Sequence, residues 1–284
     1  MSLHQKTIKS YAKVNFGLKV LDLLPDTYHS IFTIMQEIDF YDYITISKTK
    51  GSKINLEING PISVPADGNN SCIKAAKLLY DNYSINKGIN IKLTKNIPTE
   101  AGLGGGSSNA ANTLSILNNI FELNINNSEL EELAIQLGCD VPFFINGGTQ
   151  ICEGKGEKLT KLSAKFINYT MLLVFPKFSV STQWAYSFFK NDLPKRFDSD
   201  KFRSFQDIID WKLFDNDFEN IIKLTYPEVI KIRKGLESTK ALFVSLSGSG
   251  STMYGVFDDF LKASSANQAL KSYNCRIVKP INRI

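Results

Sequence analysis

Long hydrophobic runs are missing from these 284 residues. No stretch approaches the ~20 consecutive apolar residues a membrane-spanning helix needs, so none is expected. Cysteine is scarce too. Cys72, Cys139, Cys152 and Cys275 are scattered, with no Cys-x-x-Cys pair and no histidine cluster beside them. That spacing argues against a structural zinc site and a disulfide framework, and it suits a reducing compartment. The opening MSLHQKTIKSYAK lacks the apolar core of a secretory signal, so the expected location is the cytoplasm. Internal repeats and low-complexity tracts are absent. A strong excess of one charge sign is absent as well. Thirty-three basic and 28 acidic residues leave a net +5, too mild to imply nucleic acid, whose binders cluster basic residues on one face.

What is present describes a globular chain, 43% hydrophobic and 21% charged, long enough for two modest domains. Residues 1–155 carry 13 basic against 15 acidic residues, and residues 156–284 carry 20 against 13. The basic second half suits an anionic substrate, although a solvated lysine surface reads the same way. In the first half YDYITISK and INIKLTKNI alternate with period two, and NNSCIKAAKLLYDNY places Ile73, Ala76, Leu79 and Tyr80 on one helical face. Ser128 and Glu131 are spaced as a capping box, with Gly138 as the stop of that helix. A glycine-rich passage around Gly147–Gly156 marks the expected boundary between domains of residues 1–155 and 156–284. Beyond it lie a buried strand, YTMLLVFP, a helix with Val229, Ile232 and Leu236 inward, and a strand–turn–strand, ALFVSLSGSGSTMYGVF. KNDLPKRFDSDKFRSF, residues 190–205, reads as a polar surface connection.

The most informative stretch is IPTEAGLGGGSSNAANTLSIL, residues 97–117. Strand, glycine-rich turn and apolar helix follow in the order that builds a phosphate cradle. Glycines admit positive φ and close approach of N–H groups to an anion, and the helix adds its unpaired first-turn N–H groups. Ala110, Leu114, Leu117 and Phe121 give that helix its apolar stripe. Neither G-x-x-x-x-G-K-[ST] nor a usable G-x-G-x-x-G is present. A flexible joint would need no strand before it and no patterned helix after it, so phosphate binding leads.

The pattern Pro98-x-x-x-Gly102-Leu103-Gly104-Gly105-Gly106-Ser107-Ser108-Asn109-Ala110-Ala111 resembles the ATP-binding motif of the GHMP kinases. Three further matches extend the resemblance over almost the whole chain. In YAKVNFGLKVLDLLPDTYHSI, Lys13 and Asn15 fit the near-terminal A-K-[IV]-N, and Tyr28-His29 fit a later G-Y-H, with Thr27 standing where the family usually has glycine. LGCDVPFF supplies Asp140, with Pro142 to fix its turn. SLSGSGSTMYGVF carries Ser247-Gly248-Ser249-Gly250, which looks like the third motif of the superfamily. FDNDFENI, with Asn216, Asp217 and Glu219, resembles the N-D-[LF]-E segment and reads as structural. Taken singly, Lys13 could be a surface lysine, His29 a packing residue, Asp140 a helix cap and the last motif a plain hairpin.

The resemblance implies an α+β fold of two domains with the active site in the inter-domain cleft. It is nearest to the branch that phosphorylates the 2-hydroxyl of 4-diphosphocytidyl-2-C-methyl-D-erythritol, a cytidine diphosphate-linked small molecule, with ATP and Mg2+. A homoserine- or mevalonate-type acceptor is the alternative. It implies Asp140 as general base and Lys13 as its electrostatic partner. Residues 102–108 would hold phosphates, with Ser107 or Ser108 as a metal contact and Pro98 and Asn109 completing the ATP motif. Asn15, Tyr28, His29, Tyr186 and Ser247–Gly250 would meet the cytidine substrate, His29 at the cytosine edge; Trp184 competes with Tyr186 for the stacking role. From another class, a nucleic-acid-binding module and an inactive nucleotide binder are weaker readings, because neither requires Lys13 and Asp140 together. Neither a nucleic-acid partner nor an obligate protein partner is expected. Glu100, just before the glycines, should face solvent.

Overall fold

The structure, a computed structural model, describes residues 4–162, 166, 168–189, 193, 197–198 and 209–283. Apart from 193, 197 and 198, the polar stretch 190–205 lies outside the described residues. The chain forms two compact units, each built from several runs. The first takes the N-terminal residues through Ala12, then Phe40–Thr99 and Gly104–Gly147; the second takes Lys13–Asp39, Glu100–Leu103 and Gly148 onward. Two long paired strands, β1 (Gln5–Leu23) and β2 (His29–Thr49), contribute residues to each unit.

In the first unit, β3 (Ile54–Asn59) leads through α1 (Ser71–Tyr83) to β4 (Gly88–Thr94). The intervening helix lets β3 and β4 run parallel, from Ile54 opposite Ile89 to Asn59 opposite Thr94. β4 is antiparallel to β2, with Tyr43 opposite Thr94 and Thr49 opposite Gly88. The period-two reading of β4 holds: Ile89, Ile91 and Leu93 are buried, whereas Lys92 is exposed. Asn70 caps α1 by accepting the N–H of Cys72 at 3.0 Å, and Ile73, Ala76 and Leu79 turn inward. Burial of each larger side chain is worth about 1.5–3 kcal/mol.

α2 (Gly105–Ile120) packs on α1, with Ala110, Leu114 and Leu117 buried and Phe121 half-buried just past its last turn. α3 (Asn127–Ile135) and α4 (Phe143–Asn146) follow. The cap of α3 differs from the expected Ser128–Glu131 pair. Asn126, extended at φ −76° and ψ 167°, accepts the Glu129 N–H, and Glu129 reaches back to the Asn126 N–H. Ser128 is already inside the first turn, and Glu131 accepts from the Asn146 amide instead. Two candidate boxes two residues apart look alike in sequence; only the backbone geometry selects one.

In the second unit, β5 (Thr149–Gly154) pairs with the first part of β2, from Ile31 opposite Gly154 to Gln36 opposite Thr149, and with β6 (Lys158–Lys161). A second, fully antiparallel sheet is built from β7 (Thr170–Phe175), β8 (Phe243–Leu246), β9 (Met253–Phe257) and β10 (Asn274–Val278), in the order β10-β7-β9-β8. Between β7 and β8 come α5 (Thr182–Tyr186), a 3-10 turn at Trp211–Leu213, α6 (Phe218–Thr225) and α7 (Glu228–Ser238). α8 (Phe260–Ala269) lies between β9 and β10. Leu172 and Val174 of β7, Ile222 of α6, Val229, Ile232 and Leu236 of α7 and Met253 of β9 share one core. The apolar run YTMLLVFP holds β7, one of the two inner strands of this sheet. Among the described residues no helix is long and apolar enough to cross a membrane, and no disulfide joins any of the four cysteines.

Candidate active site

The glycine stretch contributes to each unit. In the first, half-buried Pro98 precedes the turn, and Gly104, left-handed at φ +65°, is the N-cap residue of α2. No side chain caps this helix end, so N–H groups at Gly105, Gly106 and Ser107 are open to an external anion. A Cβ on Gly106 would meet nothing nearer than Ser71 Oγ at 4.0 Å, whereas one on Gly105 would reach Ile97 Cγ2 at 2.8 Å and Lys95 Nζ at 3.0 Å. Glycine at 105 is therefore a packing requirement, and at 106 it leaves the helix end uncovered. These features fit a polyphosphate.

Beneath the turn is a buried polar network that the sequence reading missed. Asp42, fully buried, accepts from Lys95 Nζ at 2.5 Å, from the backbone N–H groups of Asn96 and Ile97 at 2.7 and 2.9 Å, and from Asn109 Nδ2 at 2.9 Å. Burial drives the Lys95 ammonium below its usual range against the pull of Asp42. Asn109 Nδ2 also donates to Ser10 Oγ at 2.9 Å. Ser108 Oγ lies 2.8 Å from Ser10 Oγ, whereas Ser107 is half-buried. An aspartate on β2 and a lysine just past the end of β4 gave no signal in one dimension. Asp140 sits half-buried in the turn joining α3 to α4, where Val141 N–H donates to Gly138 O at 3.1 Å. The N-cap of α4 is Pro142, not Asp140.

The second unit gathers most of the remaining residues. Lys13 is 3% exposed, and its N–H donates to Leu103 O at 3.0 Å; a solvated surface lysine it is not. Its Nζ donates to Asn15 Oδ1 at 2.6 Å, and Asn15 Nδ2 donates to Thr33 Oγ1 at 3.0 Å. Tyr254 OH donates to Asn15 O at 2.7 Å. Ser247 Oγ donates to Gly102 O at 2.8 Å, and Thr252 N–H donates to Ala101 O at 3.3 Å. Gly102 thus meets the third motif so closely that a Cβ there would collide with the Ser247 carbonyl. Gly248 and Gly250 are left-handed at φ +57° and +96°, and Ser249 Oγ lies 3.2 Å from Thr182 Oγ1. Asn216 braces this loop directly, donating to Leu246 O at 2.8 Å and Gly248 O at 2.9 Å. Asp217 receives Val20 N–H, and Glu219 pairs with Arg233, so the N-D-F-E segment is structural as read. Glu100 is exposed.

His29 lies parallel to Tyr186, with ring centroids 5.9 Å apart and a 12° interplanar angle. His29 Nδ1 is 3.1 Å from Leu21 O. A carbonyl only accepts, so Nδ1 carries the hydrogen, and a neutral ring of that tautomer presents Nε2 as an acceptor. Tyr28 is exposed, with Lys155 Nζ 5.1 Å from its ring centre. Trp184 faces Phe188 and Tyr226 instead. Among the described residues no group of three or more His, Cys, Asp or Glu side chains could hold a metal.

The sequence patterns of the GHMP kinases N-terminal and C-terminal domains match residues 70–148 and 199–275. A 4-diphosphocytidyl-2-C-methyl-D-erythritol kinase from Clostridium beijerinckii is 40% identical over 271 residues, covering 93% of this chain and 95% of that one. The crystal structure of a 4-(cytidine 5'-diphospho)-2C-methyl-D-erythritol kinase superposes with a TM-score of 0.79 at 26% identity, covering 98% of this chain and all of that one. Homoserine kinase from Cytophaga hutchinsonii shares the fold, with a TM-score of 0.74 at 17% identity, covering 99% of this chain and 96% of that one.

Proposed function

The chain belongs to the GHMP kinases, and from that premise we propose that it transfers the γ-phosphoryl group of ATP to the 2-hydroxyl of 4-diphosphocytidyl-2-C-methyl-D-erythritol. The step belongs to the non-mevalonate route to isoprenoid precursors, and the location we assign is the cytoplasm. We divide the work between residues 1–155, carrying ATP binding and catalysis together with Asn15, Tyr28 and His29 for the substrate, and residues 156–284, which add Tyr186 and Ser247–Gly250 on the substrate side.

The observation that carries the acceptor is the His29–Tyr186 pair. With Nδ1 occupied by Leu21 O, Nε2 is left to accept from the exocyclic amine of cytosine. Uracil has a carbonyl there and would leave two acceptors facing each other, which is how a polar site discriminates. Homoserine and mevalonate have no ring for Tyr186 or Tyr28 to face. On the ATP side, the uncapped N–H groups of residues 105–107 and the Gly102–Leu103 segment receive the phosphates, with Pro98 and Asn109 framing the turn.

Phosphoryl transfer requires positioning and charge neutralisation more than covalent help from the protein. The tertiary 2-hydroxyl is hindered and weakly nucleophilic, and Asp140 takes its proton at the moment of attack. Lys13, held by Asn15, favours the ionised base and the developing alkoxide. Mg2+ brought with the nucleotide would neutralise phosphate charge; among the described residues no carboxylate cluster is at hand to hold it, and Ser107, whose hydroxyl is not tied to Ser10, would be its protein contact.

The test is ADP release by the full-length enzyme with the cytidine substrate, homoserine, mevalonate or no acceptor. Release stimulated by the cytidine substrate alone is expected. Equal or greater turnover with homoserine or mevalonate overturns the assignment and leaves a GHMP kinase of the other acceptor type.

A further inference from the structure

Four polar groups in the second unit form a chain whose direction is set at its ends. Lys13 Nζ is 2.6 Å from Asn15 Oδ1, Asn15 Nδ2 is 3.0 Å from Thr33 Oγ1, and Thr33 Oγ1 is 2.5 Å from Gly17 O. An ammonium only donates, so Asn15 must turn its carbonyl oxygen to Lys13. Its amide nitrogen then faces Thr33 and must donate, which makes the threonine hydroxyl an acceptor there. The hydroxyl has one proton left, and it goes to the Gly17 carbonyl, which only accepts. No other assignment satisfies all four groups. Lys13 is 3% exposed, Asn15 1% and Thr33 0%, so water cannot substitute for a missing link.

We infer that Thr33 is a positioning residue for the phosphoryl transfer: its hydroxyl locks the Asn15 amide so that Oδ1, not Nδ2, faces the Lys13 ammonium. The inference rests on the catalytic role proposed for Lys13. Neighbouring structure holds the Asn15 backbone and crowds its side chain. Tyr254 OH holds the Asn15 backbone carbonyl at 2.7 Å. The third glycine loop passes so near that a Cβ on Gly248 would sit 3.3 Å from Asn15 Oδ1. Gly17 in turn is pinned in the left-handed region at φ +64°, where a Cβ would come within 3.1 Å of Phe214 Cα, so its carbonyl has little freedom to turn away from Thr33. Rotation of the amide away from this arrangement is the motion left open, and the Thr33 hydroxyl, accepting from Nδ2, opposes it. Without that hydroxyl the buried Nδ2 has no acceptor there, and an amide that turns to find one draws Oδ1 off the Lys13 ammonium and displaces the charge that the reacting hydroxyl needs.

Valine at 33 keeps the volume and removes the hydroxyl; serine keeps the hydroxyl and removes a methyl group. A structural role and a positioning role therefore give opposite orders. Thr33→Val should lower kcat about ten- to hundredfold, the effect of leaving a buried polar partner unmatched, with KM for ATP within about threefold. Thr33→Ser should keep kcat within about threefold at a modest loss of thermal stability from the missing methyl group. In an Asn15→Ala background Thr33→Val should cost less than about twofold further, since Thr33 acts through Asn15. Should Thr33→Val not fold, Thr33→Ala carries the same expectation, a kcat loss well beyond that of Thr33→Ser. Wild-type kcat in Thr33→Val, or kcat losses that simply follow melting temperature across valine, alanine and serine, overturns the inference. Lys13→Met separates the two layers. If it is inactive while Thr33→Val is not, only the Thr33 inference falls; if Lys13→Met itself keeps wild-type kcat, the role of Lys13 falls first.

Discussion

Removing both members of the buried Asp42–Lys95 pair should cost clearly less than the sum of removing each alone. Asp42 Oδ1 accepts two backbone N–H groups, from Asn96 and Ile97, while Oδ2 accepts Lys95 Nζ and Asn109 Nδ2. In Asp42→Asn the carbonyl oxygen can keep the backbone pair, but the new NH2 then opposes an ammonium and an amide NH2. In Lys95→Met the carboxylate keeps three donors but loses its counter-charge. Each single change should cost about 3–5 kcal/mol, the usual price of a buried charge without its partner. The double variant removes both charges, and Asn109 can turn its carbonyl toward the new amide. Its cost should fall about 2–3 kcal/mol short of the sum. Trp184 and Trp211, the two tryptophans, lie in the second unit. Fluorescence would therefore miss a local change in the first, and urea unfolding should be followed by far-UV circular dichroism, with amide exchange at Asn96 and Ile97. Because Gly105 packs on Lys95 and Ile97, the single variants should also raise KM for ATP more than KM for the acceptor. Additivity of the two costs within about 0.5 kcal/mol would falsify the pairing as the source of the stability.

Thr27 adopts φ +70° in the turn where Leu24 N–H donates to Tyr28 O at 2.7 Å, a costly conformation for a β-branched residue. Thr27→Gly should raise stability by about 0.5–1 kcal/mol after the entropy cost of glycine, and a lower melting temperature would refute the strain. Burial raises the Glu37 carboxyl above the ordinary glutamate range, with Arg283 and the Gly148 N–H opposing the shift. The folded state thus holds this proton to higher pH than the unfolded chain does, and the contribution is full below the ordinary range and lost as pH rises through the elevated value. The unfolding free energy of wild type minus that of Glu37→Gln should accordingly decrease over that interval; a flat difference contradicts it. Asp140→Asn should reduce turnover about 10²–10⁴-fold with unchanged melting, and near wild-type turnover would remove the general-base role. His29→Ala should raise KM for the cytidine substrate roughly 10–100-fold while sparing KM for ATP; equal effects on the two would count against the cytosine contact.

The local features were legible in one dimension because their causes are local. Alternation in INIKLTKNI, the apolar face of α1, the inner strand YTMLLVFP and the glycine turn before α2 each follow from the geometry of a few consecutive residues. Thr27 could be recognised as standing in a glycine position, and its positive φ follows from the turn. The cap of α3 was misplaced by two residues, since Asn126–Glu129 and Ser128–Glu131 offer the same chemistry and only backbone angles separate them. What required the folded chain were contacts between residues distant in sequence. Asp42 meets Lys95 and Asn109, Thr33 meets Asn15, and Asn216 meets the Ser247–Gly250 loop because strand pairing and loop return bring them together. A hydrogen bond needs two partners within about 3 Å, and nothing in the spacing of a sequence records which distant residue completes it. The types of residue able to handle a phosphate and a base were thus written in the chain, whereas the hydrogen-bond partners that orient them were decided by tertiary structure.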